Sequence, residues 1–101
     1  MHPIIRSRRK EIEALCRRYH VRRLEVFGSA TREDFDPQRS DVDFLVEFES
    51  GDFNAFDAYF DLRDGLSALL GRPVDLASPK ALDNPYLRGS IDRDREPVYG
   101  A

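Results

Sequence analysis

The chain has 101 residues, which is enough for one small domain. A domain of this length buries about 60 to 70% of the surface that its unfolded chain exposes, so a catalytic centre fits but a separate lobe for an acceptor substrate does not. The formal net charge of -3 does not favour a nucleic-acid binder that works through bulk electrostatics, because such proteins usually present a strongly basic face. We therefore expect a single domain over residues 1–101, a partner chain that supplies the acceptor surface, and no direct binding of nucleic acid.

The charges are unevenly distributed along the chain. Residues 1–23 carry eight Lys or Arg and two Glu, a balance of +6, whereas residues 24–101 carry the other eight basic and seventeen acidic side chains, a balance of -9. Such a basic stretch is compatible with a solvated helix face or with a docking surface for an acidic partner or RNA.

The single cysteine, Cys16, cannot form an internal disulfide, and its position among apolar residues predicts a small buried side chain. No stretch approaches the roughly 18 apolar residues of a membrane span, and residues 1–10 are too charged for a signal-peptide core. We expect a soluble cytoplasmic protein.

The first half of the chain predicts a helix, a strand and a loop. Apolar residues at helical spacing and a proline suited to a first turn predict one amphipathic helix over residues 3–19. Alternating side chains predict a strand over residues 21–27, which Gly28-Ser29 ends. Residues 30–40 are polar and interrupted by proline, so they predict a loop, with a short helical turn at its start as an option.

The second half predicts a second strand, a long helix and shorter elements. Residues 41–48 alternate, with Val42, Phe44, Val46 and Phe48 on one face and Asp41, Asp43, Leu45 and Glu47 on the other. The remaining patterns predict a helix over 54–70, a strand over 74–77, a weaker helix over 81–93, and either a strand or an ordered tail over 96–99. The order of elements predicts an α/β or α+β fold in which helices flank a mixed sheet, with a parallel crossover through helix 54–70.

Asp41 and Asp43 are candidate metal ligands. Residues two apart on a strand point to the same side, so the two carboxylates can converge on one divalent cation or straddle two. Oxygen ligands of this kind suit Mg²⁺, which typically takes one or two protein carboxylates and leaves other positions to substrate phosphates. The same spacing also occurs at the wet start of an ordinary edge strand, so this motif needs support from other residues.

Gly28, Ser29 and Arg32 are candidate phosphate ligands. A glycine directly after a strand lets backbone approach a phosphate closely, and the amides and hydroxyl that follow can donate to its oxygens. Arg32 is close enough along the chain to reach the same anion. A Gly-Ser pair is equally compatible with a simple turn, and arginines are common on surfaces.

Asp75 is the third acidic candidate. It lies between Val74 and Leu76 in a short predicted strand, and pairing with the strand over 41–48 would place it beside Asp41 and Asp43. There it could complete a metal site or take a proton from an attacking hydroxyl. A plain rim position is the alternative.

The ordered set of motifs resembles a known superfamily. Its members are Gly28-Ser29, Ser40-Asp41-Val42-Asp43 and Val74-Asp75-Leu76. They resemble the Gly-Ser, Asp-x-Asp and third-Asp signature of polymerase-beta-like nucleotidyltransferases, and more closely the minimal nucleotidyltransferase (MNT) antitoxins of HEPN/MNT toxin-antitoxin pairs. The resemblance covers residues 21–99, and its specificity comes from the order of motifs that are individually weak.

The resemblance implies a role for each matching residue. Gly28 and Ser29 would hold the triphosphate, Asp41 and Asp43 would bind Mg²⁺, and Asp75 would complete the second metal site and activate the acceptor hydroxyl. Arg32 and Ser40 are further candidates for nucleotide binding. One departure is the segment between the Gly-Ser pair and Asp41, which has eleven residues where the family usually has ten. The extra residue costs little closure entropy but can shift the phosphate ligands relative to the metal.

The leading hypothesis from the resemblance is a metal-dependent adenylyltransferase that transfers AMP from ATP to a cognate HEPN toxin, neutralises it, and associates with it as a hetero-oligomer. The alternative is a catalytically silent antitoxin that neutralises the toxin by binding alone. A third class, nucleotidyl transfer to small molecules or RNA ends, is disfavoured because such relatives usually carry further acceptor-binding domains.

Overall fold

A four-stranded mixed sheet organises the molecule. The structure is a computed structural model that describes residues 1–31 and 41–100. Its helices and strands are α1 (Pro3–Arg6), α2 (Arg9–Arg18), β1 (Val21–Phe27), β2 (Val42–Phe48), α3 (Ala55–Leu70), β3 (Val74–Ala77), α4 (Pro85–Asp94) and β4 (Glu96–Tyr99). Two 3₁₀ turns, Gly28–Thr31 and Pro79–Asp83, follow β1 and β3.

The strand order is β3-β2-β1-β4. Strand β1 runs antiparallel to both of its neighbours, β2 and β4, whereas β2 and β3 are parallel. Helix α3 makes the crossover between the two parallel strands, as parallel pairing requires. The expected mixed sheet flanked by helices is confirmed.

The alternation along β2 divides the sheet into two apolar faces. Val42, Phe44 and Val46 point into the main core, which α1, α2 and α3 cover with Ile5, Ile12, Cys16, Leu62 and Leu66. Leu45 points to the opposite face, where it packs with Phe27 and with Ile91 of α4. Asp43, between two main-core positions, therefore lies on the same face as Leu45 and α4.

A buried ion pair ties the end of α4 to this second face. Glu25 of β1 is only 7% exposed, and Arg95 donates to both of its carboxylate oxygens at 2.9 and 3.0 Å. This bidentate geometry satisfies a charge that burial would otherwise destabilise. The chain between α4 and β4 is thereby held against the middle of the sheet.

Helix α3 matches its sequence prediction because both ends carry strong local signals. The side chain of Asn54 accepts a hydrogen bond from the amide of Asp57 at 3.1 Å, and Gly71 ends the helix with φ +67°. Asparagine is a favoured N-cap, and glycine adopts the left-handed C-terminal conformation without steric cost.

The single helix predicted over residues 3–19 is wrong, because it is broken at Ser7 and Arg8 into α1 and α2. Arg6, Arg9 and Lys10 would stand three and four residues apart in a continuous helix, where like charges repel. Serine also competes with helical hydrogen bonding. The chain before the first helix is instead anchored to the 3₁₀ turn that follows β1, since the amide of His2 donates to the carbonyl of Ala30 at 2.8 Å.

The helix predicted over residues 81–93 also needs correction. A 3₁₀ turn ends at Asp83, and α4 starts only at Pro85 with Asn84 as its N-cap. Proline is disfavoured inside a helix but suited to its first turn, so Pro85 sets the boundary. The last segment forms a strand, β4, rather than an unpaired tail. Within the two described ranges, none of the helices is long and apolar enough to cross a membrane.

We expect Leu62→Ala to lower the free energy of unfolding by roughly 2 to 5 kcal/mol, because Leu62 is 0% exposed and its loss leaves a cavity under α3. Leu87→Ala is the matched control, since Leu87 is a helical leucine that is 45% exposed. Urea denaturation followed by circular dichroism measures both. Equal losses in the two variants would contradict the assignment of the main core.

Candidate functional site

Strand pairing brings the candidate residues to one end of the sheet. Asp43 is the pairing partner of Phe27 in the antiparallel register and of Asp75 in the parallel register. Gly28 directly follows Phe27 along the chain. The glycine turn and two of the three candidate aspartates therefore meet at the same end of the sheet, on the face that α4 partly covers.

The Asp43 carboxylate lies against the backbone of Gly28. Gly28 has φ +74°, and a Cβ at this position would stand 2.7 Å from Oδ2 of Asp43. The hydroxyl of Thr31 donates to the carbonyl of Gly28 at 2.8 Å and closes the 3₁₀ turn. Glycine is therefore required at position 28 for two reasons, which are the positive backbone angle and the space that the Asp43 carboxylate occupies.

Two contacts of this turn were not predicted from the sequence. One is the hydrogen bond from the hydroxyl of Thr31 to the carbonyl of Gly28. The sequence signal for this bond is a threonine three residues after a glycine, a spacing at which a hydroxyl can donate to a backbone carbonyl. The other is the bond from the amide of His2 to Ala30, which is 0% exposed. No local pattern could have indicated it, because it depends on how α1 packs against the sheet.

Asp43 is the residue of the site whose ionised form is disfavoured by its surroundings. Burial, the negative charges of Asp75 and Asp41, and a hydrogen bond with Asp75 together raise the pKa of Asp43 from 3.8 to about 6. A hydrogen bond between two carboxyl groups requires a proton on one of them, so it favours the neutral form of Asp43. Uncompensated negative charge in a cleft is typical of sites that receive a cation or a proton.

Asp41 and Asp75 are exposed, whereas Asp43 is half-buried. Asp41 precedes β2 and acts on Asp43 through its charge. Across residues 1–31 and 41–100, no group of three or more His, Cys, Asp or Glu side chains is assembled that could hold a metal ion. The structure therefore offers a close pair, Asp43 and Asp75, with Asp41 nearby.

This donor set fits Mg²⁺ bound together with a nucleotide. The ion usually takes one or two protein carboxylates and fills its remaining positions with water and substrate phosphates. Asp43 and Asp75 are neighbouring carboxyl groups, and the pKa of Asp43 is raised, so their ionised forms supply negative charge that such an ion would neutralise.

The structure does not describe the side chains of three predicted nucleotide-binding residues. Arg32 and Ser40 lie outside the described residues, and so does most of the segment that carries the extra residue. Ser29 belongs to the 3₁₀ turn Gly28–Thr31, but its side chain is not among those described. Their roles remain predictions from the sequence.

Comparison with known proteins identifies the family. Residues 8–97 match the family described as the nucleotidyltransferase domain. The chain belongs to this family. It is therefore an enzyme of the nucleotidyltransferase class, and the resemblance found in its sequence motifs is confirmed.

Curated relatives of this nucleotidyltransferase occur in Methanocaldococcus jannaschii. Two of them, both named as candidate protein adenylyltransferases, are 36% identical over 86 residues and 42% identical over 87 residues. Each alignment covers 85% of this chain and 85% of the relative.

Solved structures share the fold. A candidate minimal nucleotidyltransferase is 36% identical, with a TM-score of 0.69 and coverage of 96% of both chains. A complex of a tri-AMPylated HEPN toxin from Shewanella oneidensis with its MNT antitoxin matches with a TM-score of 0.65 at 19% identity, covering 96% of this chain and 73% of that one. A toxin-antitoxin structure with AMP-PNP has a TM-score of 0.64 at 21% identity, covering 92% and 73%. At these low identities the last two show the fold alone.

We expect Gly28→Ala to destabilise the protein by about 1 to 2 kcal/mol through the left-handed backbone alone, and to displace the Asp43 carboxylate as well. Gly89→Ala is the matched control, since a Cβ there meets nothing within 4 Å and alanine favours the helix. Urea denaturation measures stability, and the carboxyl resonance of Asp43 reports its surroundings. If Gly28→Ala were neutral in both, the proposed contact would be wrong.

We expect Asp43→Asn to stabilise the metal-free protein at pH 7 by on the order of 1 kcal/mol, because a raised pKa means that the folded state resists ionisation. The folded protein holds the Asp43 proton more tightly than the unfolded chain, so wild-type stability falls relative to the variant as the pH rises from about 4 to about 6. Thermal unfolding at several pH values in chelated buffer measures the difference. A variant that is less stable at pH 7 would contradict the strained carboxylate pair.

Proposed function

We propose that the protein is a metal-dependent protein adenylyltransferase that transfers AMP from ATP to a HEPN-type toxin and thereby acts as its antitoxin. The observation that carries the proposal is the register that sets Asp43 beside Asp75 and against the Gly28 turn. Phosphoryl-group transfer needs little covalent help from a protein, and it depends on positioning and on charge stabilisation. A carboxylate pair next to a glycine turn meets both needs.

Asp43 and Asp75, with Asp41 nearby, would hold the divalent ion. When bound there, Mg²⁺ would neutralise charge that grows on the transferred and leaving phosphates. The partial burial of Asp43 suits a ligand that must stay in place, whereas the exposure of Asp41 and Asp75 leaves them accessible to substrate.

The Gly28 turn and Asp75 have separate tasks in the transfer. Gly28 has no side chain to keep phosphate oxygens away from the backbone of the turn. The acceptor hydroxyl oxygen forms a bond to the α-phosphorus of ATP, the bond from that phosphorus to the bridging oxygen of the β-phosphate breaks, and pyrophosphate leaves. Asp75 takes the hydroxyl proton, a role that its exposure allows because a bulky protein acceptor has to approach it.

Names of relatives support the choice of donor and acceptor. The relatives in Methanocaldococcus jannaschii are named for adenylyl transfer to protein, and one structure with the same fold is a complex between an MNT antitoxin and an AMPylated HEPN toxin. Another has AMP-PNP, an analogue of ATP. Association with such a toxin would make the working unit a hetero-oligomer.

We expect incubation with ATP, Mg²⁺ and a cognate HEPN protein, sought among the products of the neighbouring genes, to add one or more AMP units to that protein, measured by intact mass. Asp43→Asn and Asp75→Asn should each lower the rate by at least about 100-fold, because each removes charge at the reacting phosphates. Asp52→Asn is the matched control, since Asp52 is exposed and lies beyond the far end of β2. An unmodified mass in a folded complex, or equal rates in all variants, would contradict the proposal.

Neutralisation by binding alone is the second candidate, and one observation favours it. One structure with the same fold is a complex in which an MNT antitoxin is bound to a HEPN toxin. The double variant Asp41→Asn, Asp43→Asn separates the two functions in a toxicity assay. Toxin that remains neutralised by this variant would favour occlusion, whereas released toxicity would favour transfer.

A further inference from the structure

The outer surface of the helix layer contains an open apolar groove between α2 and α3. It has a volume of about 360 Å³ and is lined by Ala14, Leu15, Gly65 and Leu69, with Glu11 and Arg18 at its rim. Gly65 allows the two helices to approach closely, since a Cβ there would lie 3.2 Å from the side chain of Leu15. The groove lies on the outer surface of the helices that cover one face of the sheet, whereas Asp43 lies on the other face.

The α2 side of the groove is mainly basic, and Glu11 is the acidic residue of this helix that lines it. Lys10 and Arg17 lie four residues before and three residues after Ala14, so they stand beside it on the exposed face of the helix. Neither forms a salt bridge with another residue in the described part of the chain. Arg18 contributes a third cation at the rim, where its guanidinium lies 5.5 Å from the ring centroid of Tyr19.

The α3 side of the groove is acidic. Asp57, Asp61 and Asp64 are exposed and recur at positions i, i+4 and i+7, which places them on one helical face. Asp61 stands four residues before Gly65 and therefore next to the groove. Asp64 contacts the partly exposed Arg63 at 3.3 Å, a pair that contributes little in water.

We propose that this groove is the interface between two copies of the chain. A two-fold axis along the groove would lay α2 of one copy over α3 of the other. The dimer would then contain two equivalent contacts between a basic and an acidic helix. Isologous dimers require this kind of self-complementary surface. The apolar groove supplies the area to be buried, and the flanking charges fix which helix faces which.

The dimer leaves the candidate site open. The groove lies on the α2 and α3 side of the sheet, whereas Asp43 shares the other side with Leu45 and α4. Substitutions at the groove should therefore leave the transfer reaction unchanged, so a failure of the dimer and a failure of the proposed function are distinguishable.

Sedimentation equilibrium in low salt, from about 10 µM to about 1 mM, tests the dimer. The wild-type chain should approach the mass of two copies at the upper end. The double variants Lys10→Glu, Arg17→Glu and Asp61→Lys, Asp64→Lys should each dissociate at least about tenfold more readily, because each places like charges across the interface. An equimolar mixture of the two should restore the dimer, since both new contacts then have opposite signs.

Restored association also shows that both variants are folded, and circular dichroism of each provides an independent check. Salt should weaken the wild-type dimer, because the screening length of the solution falls from about 10 Å at 0.1 M to about 3 Å at 1 M salt. A wild-type chain that stays monomeric to about 1 mM would overturn the proposal, and so would a mixture that fails to associate. Groove variants that instead lose binding to the toxin would overturn it in favour of a different partner.

Discussion

The register between β2 and β3 is the constraint on which the site depends. Val42, Phe44 and Val46 must point into the main core, and this requirement fixes the opposite orientation of Asp43. Parallel pairing then places Asp75 beside it. A slip of one residue would expose the apolar set and bury the carboxylate, so the same apolar burial that stabilises the sheet also forces two like charges together. The raised pKa of Asp43 is the local cost of that arrangement.

Such a cost is informative because the fold makes positions 43 and 75 neighbours but does not require an aspartate at either of them. Glu25, on the same face, is buried but satisfied by the bidentate contact with Arg95. Asp43 has instead an aspartate as its hydrogen-bonded neighbour and a glycine whose missing side chain makes room for its carboxylate. Local rules are usually broken at functional positions, where a ligand supplies the missing compensation. A cation held with a triphosphate has the required charge.

Elements with local sequence signals could be predicted, whereas contacts between distant parts of the chain could not. The strand over β2 and helix α3 were predictable because alternation, an Asn cap and a Gly terminus are local signals. The break at Ser7 was missed because apolar periodicity ignores the clustered positive charges, and Pro85 was overlooked inside a weak pattern. The aspartate pair could be anticipated from motif order, whereas the contact between Gly28 and Asp43 depends on strands that a long segment separates. The groove between α2 and α3 likewise exists only in the packed molecule.

We propose that Asp43 and Asp75 hold a divalent ion beside the Gly28 turn. Mn²⁺ can replace Mg²⁺ at carboxylate sites, and its unpaired electrons broaden nearby NMR signals. In a titration with Mn²⁺ and a non-hydrolysable ATP analogue, the backbone amides of Gly28, Asp43 and Asp75 should broaden first, and excess Mg²⁺ should reverse the effect. Broadening centred elsewhere, with these three signals unaffected, would contradict the account.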